Sequence, residues 1–394
     1  MRFIDSVDIQ GKRLLIRVDY NVPLDGTTIS DDNRIQASLP TLNLALEQGC
    51  SLVLCSHLGK PKGTVVPGLS LKLVAVRLAE LLGREVKMAP DCIGSATHKM
   101  IDALQPGEVL MLENLRFHAG EKSNDPEFCK ALAYGADVYV NDAFGVSHRS
   151  HGSVVGLLDF VPVVCGGLLL KKEWEYLGEA LKNPERPFVA VIGGAKVSSK
   201  LGILHSLLDK VDRILIGGAM ANTFLKSQGY EIGTSLVEDD LLDEARAIMD
   251  KARAKGVSLY LPVDCILGDG PQGELTGGVC PFQDVPRNEM ILDIGPASSA
   301  LFAEGIRDAR TIVWNGPMGA FENHFFSQGS FNLAMGIAQS DALSIVGGGD
   351  TDVIVHTLKI QDRISFISTG GGSFLEFLEG KELPAFKALQ DKDA

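Results

Sequence analysis

No two cysteines of this 394-residue chain stand at C-x-x-C spacing. The seven Cys lie singly at positions 50, 55, 92, 129, 165, 265 and 280, an odd count in mostly apolar stretches. That pattern excludes a disulfide-stapled scaffold and reads as buried thiols of a reducing compartment. Uninterrupted apolar runs of about 18 residues are absent, so no membrane-spanning helix is expected. Met1-Arg-Phe-Ile-Asp-Ser6 carries no basic-then-apolar leader, and a cytoplasmic location is the expectation. Basic residues are in deficit: 37 Lys and Arg face 50 Asp and Glu, a net charge of −13. A surface that negative repels nucleic acid and anionic lipid, so neither is an expected partner. Low-complexity segments and short fixed periods are missing, which excludes solenoids and propellers. Also missing are G-x-x-x-x-G-K-S/T, the H-R-D and D-F-G pair, and any G-x-G-x-x-G that opens a helix with an acidic residue about 20 positions later. These absences exclude the P-loop and protein-kinase classes and argue against a dinucleotide-dependent dehydrogenase.

What is present is the composition of an ordinary globule, 45% hydrophobic and 22% charged, with 43 Gly and 17 Pro spread along the chain. The length predicts two domains of roughly 200 residues each. Short β-branched or apolar runs alternate with amphipathic stretches of helical length, the pattern of parallel sheets covered by helices. The fold class is therefore α/β.

The two halves end their strands differently. In the first, Arg13 to Val18 runs into Asp19-Tyr20-Asn21, Ser51 to Cys55 into Ser56-His57, Val109 to Leu112 into Glu113-Asn114-Leu115-Arg116, and Asp137 to Val140 into Asn141-Asp142. In the second they end in glycine: Phe188 to Ile192, Arg213 to Ile216, Thr311 to Trp314, Ala342 to Val346 and Ile364 to Ile367. Ligands of open parallel sheets bind beyond the carboxyl ends of the strands, so two binding faces are implied. Between the halves, Leu170, Trp174, Leu177 and Leu181 recur at helical spacing and predict one helix over 168–182, taken as the domain junction.

A strand that ends in Gly-Gly-Gly and enters a helix offers backbone N–H groups and a positive helix end to phosphate. Val346-Gly347-Gly348-Gly349-Asp350-Thr351 has that form, with Asp350 placed for a phosphate-bound Mg²⁺ and a Thr hydroxyl beside it. Gly193-Gly194-Ala195-Lys196 to Lys200 adds two lysines one helical turn apart, read as lying on the same side of a helix start. In the first half, Arg17, Arg34, Arg116 and Arg149 accompany His57, His118, His148, His151 and Asn21. Guanidinium forks grip carboxylate and phosphate, so this cluster in an acidic protein points to a small polyanion. His148-x-x-His151 lacks a third ligand at zinc spacing and is not read as a metal site. Asp19 and Asp142 are read as partners that orient the basic groups.

Taken together, these motifs resemble those of phosphoglycerate kinases. Arg17-Val-Asp-Tyr-Asn-Val-Pro-Leu24, Ser56-His-Leu-Gly-Lys-Pro61, Glu113-Asn-Leu-Arg-Phe117 and Asn141-Asp-Ala-Phe-Gly145 carry the resemblance in the first half. Gly193-Gly-Ala-Lys-Val197, Trp314-Asn-Gly-Pro317, Gly347-Gly-Gly-Asp-Thr351 and Ser368-Thr-Gly-Gly-Gly372 carry it in the second, in family order.

The resemblance implies two Rossmann-like domains. Residues 1–167 would bind 3-phosphoglycerate or 1,3-bisphosphoglycerate, 168–182 would form the interdomain helix, 183–376 would bind ATP or ADP, and 377–394 would pack on the first domain. It implies substrate contacts from Asp19, Tyr20, Asn21, Arg34, His57, Leu58, Gly59, Lys60, Arg116 and Arg149. For the nucleotide it implies Lys196, Lys200, Gly217, Gly218, Asn315, Pro317, Glu322, Gly348, Gly349, Asp350 and Thr351, with Asp350 on Mg²⁺. Arg34, Lys196, Gly371 and Gly372 would stabilise the transferring phosphoryl group. A monomer is implied. Two positions depart from the family pattern: Lys60 stands where Arg is usual and Tyr20 where Phe is usual. Lys keeps the charge but loses the planar fork. A carboxylate acceptor is already ionised, so the chemistry needs charge neutralisation, in-line positioning and exclusion of water by hinge closure rather than a general base. The rival from another class is a catalytically inactive nucleotide-binding regulator, which would be expected to lose Lys196, Lys200 or Asp350, yet all three are present.

Overall fold

The computed structural model describes residues 1–393. The chain divides into two compact units: Met1–Gly178 joined by the C-terminal residues from Glu382 onward, and Glu179–Lys381.

The first unit is built on a six-stranded parallel sheet in the order Val86–Met88, Val109–Met111, Ser51–Cys55, Arg13–Val18, Val138–Asp142, Val163–Gly166. Apart from Arg13 at the start of its strand, its central strands are buried throughout, as sheets covered on both faces require. Register pairs Arg17 with Cys55 on one side and with Asn141 on the other. Asp19 and His57, on the loops after two central strands, and Asp142, at the end of a third, therefore lie at the same edge, and the chain crosses to opposite sides about Arg13–Val18. The C-terminal helix Pro384–Asp391 buries Ala385, Phe386 and Leu389 on this unit, with the Phe386 ring 5.1 Å from Trp174 and 5.9 Å from Phe144.

The second unit repeats the plan: Ser258–Tyr260, Arg213–Ile216, Phe188–Ile192, Thr311–Asn315, Leu343–Gly347, Phe366–Ser368, all parallel. Beside it lies an antiparallel sheet of Leu275–Pro281, Asp264–Gly268 and Met290–Ile294, which the alternating pattern does not predict. Leu275–Pro281 is largely exposed and contains Gly277-Gly278, so it carries little of the apolar signal by which strands are read.

The expected junction helix is also different. Leu168–Glu173 is α-helical, but Trp174–Ala180 winds more widely as a π-helix, with the Trp174 ring lying over Gly178, where a side chain would crowd it.

Asp142 is not a partner of the basic groups. Its Oδ1 accepts from the N–H groups of Leu169 and Leu170 at 3.0 and 3.2 Å, holding the start of Leu168–Glu173 on the strand Val138–Asp142. Gly167 is required there because a Cβ would collide with this carboxylate. Burial pushes the Asp142 carboxyl up to about 7, against the Thr41 hydroxyl and the two helix N–H groups. A raised carboxyl binds its proton more tightly folded than unfolded, so this group's contribution to stability is complete below its unfolded value and is lost as pH rises through about 7. Asp142→Asn is expected to remove that slope: its melting temperature relative to the parent rises between about pH 5 and pH 8, by on the order of 2–4 °C for each kcal/mol recovered. Parallel melting curves of the two proteins would refute it.

Candidate active site

The first cluster is organised by Arg17, a guanidinium with no exposed surface. Its Nε donates to Ser153 Oγ at 2.9 Å, one Nη to the Val18 carbonyl and the other to His57 Nδ1 at 3.1 Å. An arginine can only donate, so His57 Nδ1 accepts and the ring proton sits on Nε2. Burial holds the His57 imidazole well below its ordinary range, with Arg17, Arg116 and Arg34 adding to that direction and Asp19 opposing it. His57 is therefore neutral and cannot take part as a cation. Asp19 receives Arg34 Nη1 at 2.7 Å and lies 3.7 Å from His57 Nδ1. Burial alone would raise its carboxyl, but Arg34, Arg17 and the Asn21 N–H hold it below the ordinary value.

Arg116 sits in the short turn Leu115–Phe117, which Asn114 caps by accepting the Arg116 N–H. Its Nη1 donates to the Gly59 carbonyl at 2.8 Å, while Nε is buried without a partner. Burial, with Arg17 and Arg149 close by, pushes this guanidinium down to about 10. His151 Nδ1 is likewise buried without a hydrogen bond, 3.7 Å from Glu121 Oε1, and burial together with three arginines takes its ring down to about 4. The cluster is short of negative charge.

Other residues named from the sequence fall in different places. Asn21 Oδ1 accepts the Gly59 N–H at 2.8 Å, and Lys60 and Arg149 are exposed at the rim. The Tyr20 ring is buried with its hydroxyl 2.7 Å from Ser38 Oγ, and Leu58 packs in the core, so neither side chain is offered to a ligand. His118 pairs with Asp91 at 2.7 Å.

In the second unit, the expectation of two lysines on one helix start is not met. Helix begins only at Leu201, because buried Val197 and the turn from Gly194 shape 193–200 as an irregular loop. Lys196 is exposed, whereas Lys200 is partly buried and donates to Asn315 Oδ1. Asn315 in turn donates to the Gly347 carbonyl at 2.5 Å, linking the ends of two neighbouring strands. The glycine N–H groups are mostly spent within the protein: Gly193 donates to Asn315, Gly194 to Pro317, Gly217 to Ile192 and Gly218 to Met318. Gly218 is needed for close approach, since a Cβ would stand 2.6 Å from the Gly194 backbone. The Thr351 hydroxyl is buried, donating to Gly347 and accepting from Gly316 N, so what this residue can offer a ligand is its backbone N–H in the first helical turn rather than its side chain. The starts of Gly349–Thr357 and Gly371–Leu378 provide the first-turn N–H groups that a phosphate can use.

Against this edge lies a cavity of about 240 Å³ with walls that include Leu236, Met290, Leu292 and Met318, and with Glu322 and Asp350 among its polar groups. A flat apolar base fits the walls and hydroxyls fit the carboxylate, which is what a mononucleotide presents. None of the four wall residues was legible as a site residue, because apolar side chains read as core. Glu121 was missed too. It is fully buried and accepts from Ser153 N at 2.8 Å and Ser153 Oγ at 2.7 Å, so it compensates Arg17 through Ser153 across 32 positions of sequence.

The sequence profile of the phosphoglycerate kinase family matches residues 4–381. A phosphoglycerate kinase of Maridesulfovibrio salexigens is 59% identical over 99% of this chain and 100% of its own length, and one from Geobacter sp. strain M21 is 55% identical over 100% and 99%. The solved phosphoglycerate kinase of Coxiella burnetii superposes with a TM-score of 0.89 at 43% identity, covering 100% of this chain and 99% of that one.

Ser153→Ala strands Arg17 Nε and Glu121 Oε1 in the interior without partners. It is expected to cost about 1–3 kcal/mol, read as a lower urea midpoint with unchanged slope. A midpoint equal to the parent's would show that Ser153 does not carry this link.

Proposed function

The chain belongs to the phosphoglycerate kinase family, and from that membership we propose how its own residues carry the reaction. It is a phosphotransferase of glycolysis that interconverts 1,3-bisphosphoglycerate and ADP with 3-phosphoglycerate and ATP. Nothing in its relatives supports an inactive regulator.

The phosphoglycerate is held by Asp19, Asn21, Arg34, His57, Arg116 and Arg149, with Lys60 as a point charge at the rim. The observation that carries this reading is the shortage of negative charge: Arg116 Nε is buried and unpartnered while Arg17 and Arg149 oppose its protonation. A ligand with a carboxylate and a phosphate supplies the missing anion. The nucleotide occupies the cavity walled by Leu236, Met290 and Leu292, with Glu322 toward its hydroxyls and Lys196 and Lys200 toward its phosphates. No base is needed, in keeping with a neutral His57 and an Asp19 already paired. Arg34, Lys196 and the helix start at Gly371-Gly372 offset charge on the transferring group.

Mg²⁺ fits Asp350, which is exposed at a helix start on the cavity and close enough to Lys200 to favour its charge. Magnesium takes one or two carboxylates, water and substrate phosphates rather than a closed protein cage, so one carboxylate is a sufficient protein ligand. When bound it would neutralise phosphate charge. A cytoplasmic monomer completes the reading.

Incubation with 3-phosphoglycerate, Mg-ATP and hydroxylamine is expected to accumulate the hydroxamate of the acyl phosphate. Lys196→Ala and Arg34→Ala should each lower kcat by about a hundredfold or more. Nucleotide binding by calorimetry without hydroxamate from the parent protein would return the regulator reading.

Lys200 sets a pH dependence. Burial presses its ammonium down to about 8, with Asp350 opposing, so the free protein carries this proton below that pH and loses it above. Bound phosphate draws it back. ADP binding at about pH 9 is expected to take up to one proton, seen as an enthalpy that varies with the buffer's ionisation heat, and at about pH 7 none. Lys200→Arg should abolish the uptake, and an uptake that survives this change rules Lys200 out as its source.

Because the two ligand sets belong to different units, in-line transfer also requires closure. Solution scattering is expected to give a smaller radius of gyration with both ligands than with neither, and equal radii would remove closure from the mechanism.

A further inference from the structure

Outside both ligand sites, Asp91, Cys92 and His118 bring a carboxylate oxygen, a thiol sulfur and an imidazole nitrogen within 4.8 Å of one another. They are the group among the described residues in which three such ligand atoms converge. The loop after Val86–Met88 contributes the first two, and the residue that follows the Leu115–Phe117 turn contributes the third. Asp91 Oδ1 is the hub, accepting from Cys92 N at 2.6 Å and lying 2.7 Å from His118 Nε2. Cys92 is almost wholly buried, while Asp91 and His118 are partly exposed, and His118 borders an open depression of about 460 Å³. The sulfur is thus shielded and the cluster reaches solvent on its imidazole side.

We propose that Asp91, Cys92 and His118 form a binding site for a borderline-soft divalent cation of the zinc type. One sulfur, one nitrogen and one oxygen are a three-ligand set that leaves a fourth, solvent-facing position for water. Magnesium and calcium, which demand oxygen, are poorly served by it. Binding exchanges protons for metal. The Cys92 S–H bond breaks, its proton passes to solvent and its electron pair forms the S–Zn bond. The His118 Nε2–H that donates to Asp91 gives its proton to solvent while Nδ1 takes one up, so the freed Nε2 lone pair and the Asp91 oxygen each bond the ion in place of their hydrogen bond. No oxidant or reductant is involved. The backbone N–H of Cys92 stays on the carboxylate and holds it in position.

The test uses the full-length protein, stripped of metal and titrated with Co²⁺ and, against a chromophoric chelator, with Zn²⁺. One equivalent of Co²⁺ is expected to raise a thiolate-to-cobalt charge-transfer band that Zn²⁺ abolishes and excess Mg²⁺ does not. Cys92→Ser should lose the band, and His118→Gln should weaken zinc at least about tenfold. Kinase activity without added zinc should stay at the parent level in Cys92→Ser, which shows that the variant is folded. Should Cys92→Ser not fold, His118→Gln and Asp91→Asn carry the comparison, since both residues are partly exposed. No band in the parent, or equal zinc affinity in parent and variants, overturns the proposal, the latter by placing the metal elsewhere.

Discussion

A guanidinium that cannot shed its proton has been placed inside the first unit, and much around it answers to that constraint. Arg17 lies on a central strand with no exposed surface, so each of its donors must find an acceptor. The Val18 carbonyl, Ser153 and His57 provide them, and Glu121 supplies the charge through Ser153. The same arrangement fixes the His57 tautomer and keeps the ring neutral. It also leaves Arg116 underpaired, because the nearby Glu121 is already engaged by Ser153. The cluster thus keeps a deficit of negative charge that belongs to the group of arginines rather than to any single one.

The second unit solves a different problem with different means. Its edge carries few cations. Backbone segments are drawn so close that side chains are excluded at Gly218, and the glycine N–H groups tie neighbouring strand ends together instead of pointing outward. Lys200 and Asn315 fasten the same edge from the side. The result is a rim of tied strand ends beside an apolar cavity, with Glu322 and Asp350 among the cavity's polar groups and the partly buried Lys200 ammonium near Asp350. Both units obey the rule that parallel strands deliver their ligand groups at one edge, yet one uses charge and the other shape.

Much of the chain was legible without coordinates because the relevant signals are local. Buried parallel strands such as Ser51–Cys55 and Phe188–Ile192 are continuous apolar runs, and their bounds coincide with the expectation. His57 directly after a strand, Lys200 and Asp350 on the glycine segments that follow strands, and Arg34 at the start of the helix Asn33–Glu47 announce themselves by residue type. The failures share a cause as well. The sheet containing Leu275–Pro281 lacks an apolar period, the π-helix Trp174–Ala180 has the same spacing on paper as an α-helix, and Asp142 gives no sign that it caps a helix start rather than orienting a cation.

What the sequence determined by itself was the α/β class, the polar strand ends of one half against the glycine strand ends of the other, and the family, since these follow from periodicity and from short motifs that keep their residue types together. What only the tertiary structure decided was partnership. Glu121 meets Ser153 across 32 positions, Leu236 and Met290 become one wall, and Asp91 and Cys92 meet His118. Charge compensation and cavity shape act through space over a few ångströms, and a linear pattern carries no record of which distant residues the sheet register will bring that close.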